Sequence, residues 1–321
     1  MKPTLDKQKP TIVVSACLMG DSVRWNSTAA TCRFITNELA NHVNIITICP
    51  EMMMGLGVPR PAIRQGVHLS DPHKKLIVES KSSRDHTELV EATKAPVVEK
   101  CHNVEGFIMK AKSPSCGLEK VKLYNLDNGH SIDHRQKGVF AEVLMDTFKD
   151  ASFIDEGRLI DHHLREHFVI GIFSLFNLKS IEPSLSSLQK FHAEYKYLLM
   201  SYNSYALKKL GDLCANRNND SFESVYDKYY ELFSQTIKLP LDTGKVYNTL
   251  VHIYGYFKKI VDDKEKHHIL GLLDQYKRGS LPMTVPLEIL NYLTKKYEVK
   301  YLAAQKIFAP YPEELALRRF I

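Results

Sequence analysis

The sequence predicts two domains: an α/β N-terminal domain built on a mostly parallel sheet, followed by an all-α C-terminal domain. Three observations lead to this prediction. The chain has 321 residues, more than one hydrophobic core usually serves. Its first half alternates strand-like and helix-like segments. Only Tyr124 of the 16 tyrosines precedes residue 155, so the halves differ in composition. We expect the domains to span residues 1–157 and 158–321.

The first half has a βαβ rhythm. Strand-like runs lie at residues 11–16, 43–48, 106–110 and 152–154, and helical stretches lie at 29–41, 87–103 and 138–149. Strands that alternate with helices form parallel sheets, so these segments predict a small, doubly wound, Rossmann-like domain. No GxGxxG or GxxxxGK motif follows the first strand, so we expect neither a nicotinamide nor an NTP cofactor.

The second half is predicted to be helical. From about residue 158, Leu, Tyr and Phe recur at helical spacing, as in 185–200. Strand signals are essentially absent. Further helices are predicted at 221–235, 245–258, 263–278, 285–297 and 301–308, with Pro and Gly residues between them.

The composition indicates a soluble protein in a reducing compartment. Residues 1–7 contain no apolar signal segment, and the longest apolar stretch, 168–176, is too short to span a bilayer. We therefore expect no membrane partner and a cytoplasmic location. The six cysteines are widely spaced, which makes disulfides the weaker interpretation. A net charge of +6 permits a polyanionic partner without establishing one.

Three of the cysteines, Cys17, Cys49 and Cys116, each follow a strand-like run. Residues just past the carboxyl ends of parallel strands converge on one crevice. Three thiolates there could hold an iron–sulfur cluster with one iron open to an exogenous ligand. Burial as packing residues is the commoner role of a single cysteine, and zinc with a fourth, histidine ligand is a further alternative. The other cysteines, Cys32, Cys101 and Cys214, are interpreted as packing residues or ordinary thiols.

Polar side chains accompany two of these cysteines. Glu51 lies two residues past Cys49, where its carboxylate could act as a general base on water. With equal weight, Glu51 could instead supply negative charge to the start of a helix. Ser113 and Ser115 frame a proline before Cys116; their hydroxyls could donate to a substrate carbonyl, although capping a turn is the commoner role.

Several motifs carry a resemblance to known families. They are SACLMG (15–20) with VR (23–24), CPE (49–51) with GL (55–56) and PRP (59–61), and KSPSCG (112–117). As a set they resemble the thiouracil desulfidase (TudS-like) domain. The helical half resembles the YbgA-type domain in residues 191–200, 252–259 and 310–315. The combination covers nearly the whole chain and is similar to the RudS-type desulfidases, which remove sulfur from 4-thiouridine in tRNA.

The resemblance implies a cofactor and a reaction. A [4Fe-4S] cluster would be held by Cys17, Cys49 and Cys116, with the thiocarbonyl sulfur of the substrate on the fourth iron, which polarises the C–S bond. Glu51 would activate the attacking water, and Ser113 would orient the base or assist proton transfer. Sulfur would leave as hydrosulfide without net redox change.

The segment at residues 25–30 departs from the family pattern. It reads WNSTAA where the family has an aromatic residue, an aspartate, glycines and a basic residue, so a carboxylate and a cation are missing. Arg24 and Arg60 keep their positions, and each could bind a substrate phosphate or brace the loops by pairing with a carboxylate. Together with Ser115 they are the candidates for substrate binding.

Cations and tyrosines interleave in the helical half. Rings can stack on bases while cations meet phosphates, so this pattern suits an RNA partner. Aromatic residues at helical spacing are more often core, so we predict RNA contacts from the charged residues Lys196, Lys258, Lys259, Lys277 and Arg278. His192 would share a helix face with Lys196 as a structural histidine.

The sequence therefore predicts an iron–sulfur-dependent tRNA 4-thiouridine desulfidase, with tRNA as the partner of the helical domain. Two alternatives stay open. One is a desulfidase of free thiouracil or thionucleotides. The other is a non-catalytic tRNA-binding stress-response module with a structural metal site.

Overall fold

The computed structural model describes residue 6 and residues 8–320, and within them the chain forms two units, one up to Phe168 and one from Val169. The predicted domain boundary between residues 157 and 158 stays a prediction. The expectation that residues 1–7 hold no signal segment falls almost entirely outside the described residues.

The first unit contains two four-stranded sheets. Its strands are β1 (Thr11–Ser15), β2 (Asn44–Ile48), β3 (Ile63–His68), β4 (Asp71–Glu79), β5 (Gly106–Met109), β6 (Val121–Asn125), β7 (Ser131–Gln136) and β8 (Ser152–Asp155). One sheet is parallel throughout, in the order β2-β1-β5-β8. Its four strands correspond to the four predicted ones, and the predicted α/β class is confirmed.

The parallel sheet forms because its strands are apolar on both faces. All residues of β1 and β5 are buried, as expected for parallel strands that are covered on both sides. Ile12 of β1 pairs with Ile45 on one side and with Gly106 on the other. Since β1 lies between β2 and β5, the loops that follow these three strands are neighbours at one edge of the sheet.

The second sheet, in the order β4-β3-β6-β7, was not predicted. β3 pairs antiparallel with β4 and parallel with β6, and β6 pairs antiparallel with β7. The first four residues of β4 are exposed, and β7 has no buried residue. Such half-exposed strands lack the apolar run that marks a buried strand in a sequence.

The helices of the first unit are α1 (Pro50–Met53), α2 (Thr87–Lys100) and α3 (Val139–Thr147), of which the last two match predicted stretches. The helix predicted at 29–41 is wrong: the segment forms a π-helical turn, Phe34–Glu38, followed by a 3-10 turn, Leu39–Asn41. The backbone N–H of Ala30 donates to Cys17 O, and that of Cys32 donates to Leu18 O. These bonds hold the start of the segment against the loop after β1 and out of a helix.

The second unit confirms the predicted helical domain. Its helices are α4 (His162–Lys179, which contains the dividing point of the units), α5 (Leu185–Tyr202), α6 (Ser204–Ala215), α7 (Phe222–Ile237), α8 (Thr243–Tyr254), α9 (Asp263–Lys277), α10 (Thr284–Lys296) and α11 (Lys300–Ala303). Asn203 alone separates α5 from α6, and its side chain caps α6 by accepting from the N–H groups of Tyr205 and Ala206.

The tyrosines of the second unit explain the change in composition along the chain. Tyr195, Tyr202 and Tyr229 are fully buried in the helical core. Tyr195 accepts a hydrogen bond from Asn177, and the hydroxyl of Tyr229 bonds the His192 ring, so these buried groups are satisfied. In the part of the chain that the structure describes, no helix has the length and apolar character needed to cross a membrane.

Candidate active site

The three cysteines predicted as metal ligands follow β1, β2 and β5. Cys17 lies in a 3-10 turn, Ala16–Met19, directly after β1. Cys49 separates β2 from α1, and Cys116 lies in the loop after β5. All three line one cavity of about 400 Å³. The structure therefore brings the three thiols together at the edge of the sheet where the sequence predicted a site.

Most of the other predicted site residues of the first unit also line this cavity. These are Arg24, Glu51, Arg60 and Ser113. Ser115 is only 1% exposed and lies outside the lining, in contact with Glu51. The predicted RNA-binding residues belong to the second unit.

Burial dominates the chemistry of the thiols. It raises the pKa of Cys17 to about 11, and it also raises the pKa of Cys49 and of Cys116. A charge on Cys49 would raise the pKa of both other thiols further, so the sulfurs are close enough to interact. Three thiolates that line one cavity, two of them buried and one half-buried, need a cationic partner to offset their desolvation and mutual repulsion.

The surroundings of the thiols also contain groups that favour the thiolate form. The backbone N–H groups at the start of α1 donate to the sulfur of Cys49 and lower its pKa. The hydroxyl of Ser15 donates to the sulfur of Cys116 with the same effect. The positive charges of Lys110 and Arg24 lower the pKa of Cys17. Each sulfur is thus supported by donors or cations that would stabilise it as a metal ligand.

The donor set fits an iron–sulfur cluster better than a single metal ion. Among the described residues, no three of His, Cys, Asp and Glu lie close enough to hold one ion, which leaves the zinc alternative without a ligand group there. In a cluster each cysteine binds a different iron, so the three sulfurs need not meet at one point. Soft thiolates from three separate loops meet that requirement.

Glu51 is held by two side chains. The Nε and Nη2 atoms of Arg60 lie 2.8 and 2.7 Å from Oε2 of Glu51. The hydroxyl of Ser115 donates to Oε1 at 2.8 Å. Glu51 stands in the first turn of α1, and the hydrogen bonds to its carboxylate described here come from Arg60 and Ser115. The structure therefore aims this carboxylate along the cavity wall and fixes its orientation.

Arg60 is buried and fully engaged by the protein. Its guanidinium also donates to the carbonyl oxygens of Gly57 (2.6 Å) and Val23 (2.8 Å), and only 4% of its side chain is exposed. Its backbone N–H donates to Trp25 O at 2.9 Å. These bonds make Arg60 a brace between α1 and the segment at residues 21–30, which we call the tryptophan loop.

Residues 113–117, which we call the cysteine loop, are fixed by hydrogen bonds from within. The Oγ of Ser113 accepts the backbone N–H groups of Ser115 (3.2 Å) and Cys116 (3.1 Å). The backbone N–H of Gly117 donates to Ser113 O at 2.9 Å. Because both lone pairs of the Ser113 hydroxyl are used, its proton is left to donate into the cavity that this side chain lines.

The N-terminus of α3 holds the cysteine loop from outside. Four successive N–H groups, from Gly138 to Ala141, donate to the carbonyl oxygens of Pro114, Ser115 and Gly117. A Cβ atom on Gly138 would lie 2.6 Å from Ser115 O and 2.7 Å from Gly117 N, so a glycine is needed at this close approach.

Gln65 of β3 provides a second outside support. It is fully buried, and its Nε2 donates to Pro114 O (2.9 Å) and Lys137 O (2.7 Å). The unpredicted second sheet therefore helps to position the loop that carries Cys116. No local signal in the sequence marks Gln65, because its partners lie 49 and 72 residues further along the chain.

Among the residues that line the cavity, the sequence analysis did not name Ser15, Trp25, Lys110 and Lys112 as site residues. Trp25 is 48% exposed and is the only tryptophan of the chain. Lys110 pairs with Glu156, which also accepts the backbone N–H of Ala111 at 2.6 Å. Their positions in the sequence could have indicated both lysines. Lys110 directly follows β5, and Lys112 is the first residue of the KSPSCG motif.

The predicted RNA-binding residues have diverse surroundings. The Nζ of Lys196 lies 5.4 Å from the ring centroid of Tyr197, and that of Lys277 lies 4.8 Å from the ring centroid of Tyr247. Arg278 forms an exposed ion pair with Asp274 at 2.8 Å. Lys258 and Lys259 are exposed residues of the turn after α8.

Comparisons with known proteins relate each half of the chain to a family. Residues 12–156 match the model of a family described as 2-thiouracil desulfurase, and residues 196–312 match a model described as a protein of unknown function, DUF1722. The chain is similar to the uncharacterized protein YbgA of Escherichia coli (strain K12), with 24% identity over 151 residues, 47% of this chain and 89% of YbgA. Among solved structures, it is similar to the [4Fe-4S]-dependent thiouracil desulfidase TudS, with 24% identity, a TM-score of 0.38, and coverage of 47% of this chain and 94% of that one.

Residues 12–156 therefore carry a domain of the 2-thiouracil desulfurase type, which indicates an enzyme. The chain as a whole is a TudS-like domain fused to a YbgA-type domain, as the sequence motifs predicted.

Proposed function

We propose that the protein is a [4Fe-4S]-dependent desulfidase that removes sulfur from 4-thiouridine in tRNA. One observation supports this proposal above all: three thiols, the Glu51 carboxylate and the Ser113 hydroxyl line one cavity. The Ser113 hydroxyl accepts two backbone N–H groups, which leaves its own proton to donate to a substrate. In the reaction, the oxygen of water bonds to the ring carbon, the C–S bond breaks, and sulfur leaves as hydrosulfide. Atoms balance, and no electron donor or acceptor is needed.

Cys17, Cys49 and Cys116 would hold the cluster. When bound, it would supply an iron with an open coordination position, a Lewis acid that polarises the thiocarbonyl group. The donors to the sulfurs described above, Ser15 and the N–H groups of α1, would favour the thiolate form against the effect of burial, and the positive charge of the irons would supply the rest.

Glu51 acts as the general base, through its Oε1 atom. Arg60 occupies Oε2 with two contacts, whereas Oε1 accepts only the Ser115 hydroxyl. A carboxylate oxygen accepts about two hydrogen bonds, so Oε1 keeps the capacity to take a proton from water. Arg60 and Ser115, predicted as substrate-binding residues, act in this proposal through Glu51. They hold its carboxylate in place.

Ser113 donates the hydrogen bond that the substrate receives. Its hydroxyl accepts two backbone N–H groups, so it faces the substrate as a donor and stabilises the charge that develops on the ring during attack. Trp25, at the cavity wall, offers an indole ring on which the pyrimidine stacks. Arg24 and Lys112, which also line the cavity, supply positive charge for the substrate phosphate.

The helical domain binds the rest of the tRNA. We assign contacts with backbone phosphates to Lys196, Lys258, Lys259, Lys277 and Arg278. Exposed cations of this kind support sequence-independent, salt-sensitive binding.

The test uses the full chain after anaerobic reconstitution with iron and sulfide. The loss of thiocarbonyl absorbance is followed with 4-thiouridine in tRNA, with the free nucleoside and with free thiouracil, alongside iron content and released hydrosulfide. Glu51→Gln should retain iron and lower kcat by about 100-fold or more. The matched control is Glu91→Gln, an exposed glutamate of α2, which should leave kcat unchanged.

Each result decides between the candidate functions. Iron-free protein after reconstitution, or stable absorbance with every substrate, would overturn the desulfidase proposal and favour a non-catalytic module. Activity on free bases but not on tRNA would assign the alternative substrate. Full activity in Glu51→Gln would remove Glu51 from the role of base.

A further inference from the structure

Three tyrosine rings from distant parts of the chain meet in the second unit. Tyr197 lies in α5, Tyr256 lies two residues past α8, and Tyr301 lies in α11. The rings of Tyr256 and Tyr301 are stacked, with centroids 6.1 Å apart and planes inclined at 20°. Tyr197 meets Tyr256 edge-on at 6.5 Å. We call these three residues the tyrosine platform.

The platform has a buried base and an exposed top. Tyr197 is 2% exposed, whereas Tyr256 is 40% and Tyr301 is 38% exposed. The hydroxyl of Tyr197 bonds that of Tyr256, and this bond adds to the burial that raises the pKa of Tyr197. Tyr195 and Tyr229, which also contact other rings, are fully buried in the core, whereas this stacked pair is left partly in solvent. Exposed aromatic rings placed side by side are typical of a binding surface.

Lys196 places a positive charge beside the platform. Its Nζ lies 6.0 Å from the ring centroid of Tyr301 and 5.4 Å from that of Tyr197. Lys196 is one of the residues for which the sequence predicted RNA contact. The combination of a stacking surface and a cation within one side-chain length is the one that proteins use for single-stranded nucleic acid.

Hydrogen bonds connect the segments that carry Tyr197 and Tyr301. Gln305, 2% exposed, follows α11 and reaches across to α5. Its Nε2 donates to Ala193 O at 2.8 Å, and its Oε1 accepts the backbone N–H of Tyr197 at 3.3 Å. These bonds pin the turn that carries Tyr301 to the helix that carries Tyr197. A surface fixed in this way loses little side-chain entropy on binding.

We propose that the tyrosine platform binds an unpaired base of the tRNA substrate, which stacks on Tyr256 and Tyr301 while Lys196 meets the adjacent phosphate. The inference rests on the proposed function, which supplies RNA as the partner. In a duplex the base faces are covered by neighbouring pairs, so the target is a loop, bulge or end. Every base has a π face, so this contact adds affinity without reading sequence.

The test measures binding of fluorescein-labelled tRNA to the full chain by anisotropy. Tyr256→Ala and Tyr301→Ala should each weaken binding about 10-fold, and Tyr256→Phe and Tyr301→Phe should restore it, because phenylalanine keeps the ring. The matched control is Tyr292→Ala, a tyrosine of α10 that is 57% exposed, for which affinity should stay within about twofold. Affinity for a perfect RNA duplex should not change in any of these variants.

The outcomes separate this inference from the proposed function. Neither alanine variant should alter the desulfidation of free 4-thiouridine, since the platform lies outside the cavity. Equal tRNA affinity in wild type and both alanine variants would overturn the platform and leave the enzyme proposal standing. Weakened duplex binding in the variants would also overturn it. Platform-dependent RNA binding by a protein without desulfidase activity would support the platform and reject the proposed function.

A measurement on the unaltered protein gives an independent check. Ultraviolet crosslinking of bound tRNA, followed by mass spectrometry of the peptides, should place adducts on Tyr256 or Tyr301. Adducts found only on other segments of the chain would contradict the proposal, whatever the variants show.

Discussion

The cysteine loop and the tryptophan loop border the same cavity but are held in different ways. In the cysteine loop, the carbonyl oxygens of Ser113, Pro114, Ser115 and Gly117 each accept at least one hydrogen bond from a backbone or buried side-chain donor. The tryptophan loop is mostly exposed and is closed by bonds among its own residues, such as Ser27 N–H to Arg24 O at 2.8 Å. Its outside supports are the bonds from Arg60 and two backbone bonds from its ends, Asp21 and Ala30, to the turn after β1.

The difference separates two tasks within one site. A metal ligand must stay in place whether or not the metal is bound, so the loop of Cys116 is built into the fold. A segment that faces substrate tolerates more variation in sequence, which agrees with the departure from the family pattern at residues 25–30. Four substitutions would break or sharpen this comparison.

The largest expected effect comes from Gly138→Ala. The backbone of Gly138, with φ of −67° and ψ of 144°, suits alanine, so the only obstacle is the clash of the new Cβ with Ser115 and Gly117. We expect a loss of about 4 kcal/mol in the free energy of unfolding and loss of bound iron. Denaturant unfolding and iron analysis would measure this.

The control for that substitution is Gly271→Ala in α9, where a Cβ would meet no atom within 4 Å and the helix gains about 1 kcal/mol. If Gly138→Ala folds and binds iron like wild type, the close approach of α3 does not matter for the site.

Arg60→Met should have the next largest effect. It leaves Glu51 without its buried partner and frees the tryptophan loop, at a cost of about 3 kcal/mol. Activity should fall with stability, because Oε2 of Glu51 is no longer held. Arg278→Met removes an exposed ion pair and should change stability by less than about 0.5 kcal/mol. Similar losses in both variants would contradict the role of Arg60 as a brace.

Gln65→Met should cost about 2 kcal/mol. It keeps the length of the side chain but removes the bonds to Pro114 O and Lys137 O, so the cysteine loop loses one outside support. The midpoint temperature of thermal unfolding and the content of bound iron should both decrease. Gln189→Met, which removes one bond to Cys214 O in the helical unit, should lower stability without changing iron content. An unchanged iron content in Gln65→Met would show that the bonds from α3 are enough to position the cysteine loop.

Trp25→Ala should leave stability nearly unchanged and weaken substrate binding. We expect KM for free 4-thiouridine to rise about 10-fold with kcat within twofold, while Trp25→Phe keeps the stacking ring and a KM close to wild type. Because Trp25 is the only tryptophan, intrinsic fluorescence of the wild-type protein should change on titration with uridine nucleotides. A constant KM in the alanine variant would exclude stacking by Trp25.

The sequence was sufficient to predict the features that depend on local pattern. The parallel strands are short, mainly apolar runs, fully buried in β1 and β5 and partly in β2 and β8, so all four were found. Parallel topology then brings Cys17, Cys49 and Cys116 to one edge. Helical spacing in the second half gave most helices within a few residues.

The remainder depends on contacts between distant residues. Glu51 could be predicted as either a base or a helix-terminal charge, and only its contacts with Arg60 and Ser115 show how its carboxylate is oriented. The second sheet has half-exposed strands, so neither it nor Gln65 could be recognised. Tyr256 and Tyr301 occur in the same local sequence pattern as core tyrosines. Their exposure depends on the tertiary structure, in which Tyr256 lies just past α8 and Tyr301 lies in the short α11.

The docking of α3 on the cysteine loop has a consequence for anion recognition. A free helix N-terminus attracts phosphate through its unpaired N–H groups and the positive end of its dipole. In α3 all four of these N–H groups donate to carbonyl oxygens of the cysteine loop. The positive end of the dipole is thus neutralised by the protein itself, and any phosphate that enters with a nucleotide must be met by side chains such as Arg24 and Lys112. Recognition of the nucleotide's charge therefore depends on residues that can be exchanged one at a time, without disturbing the loop that carries the metal ligand.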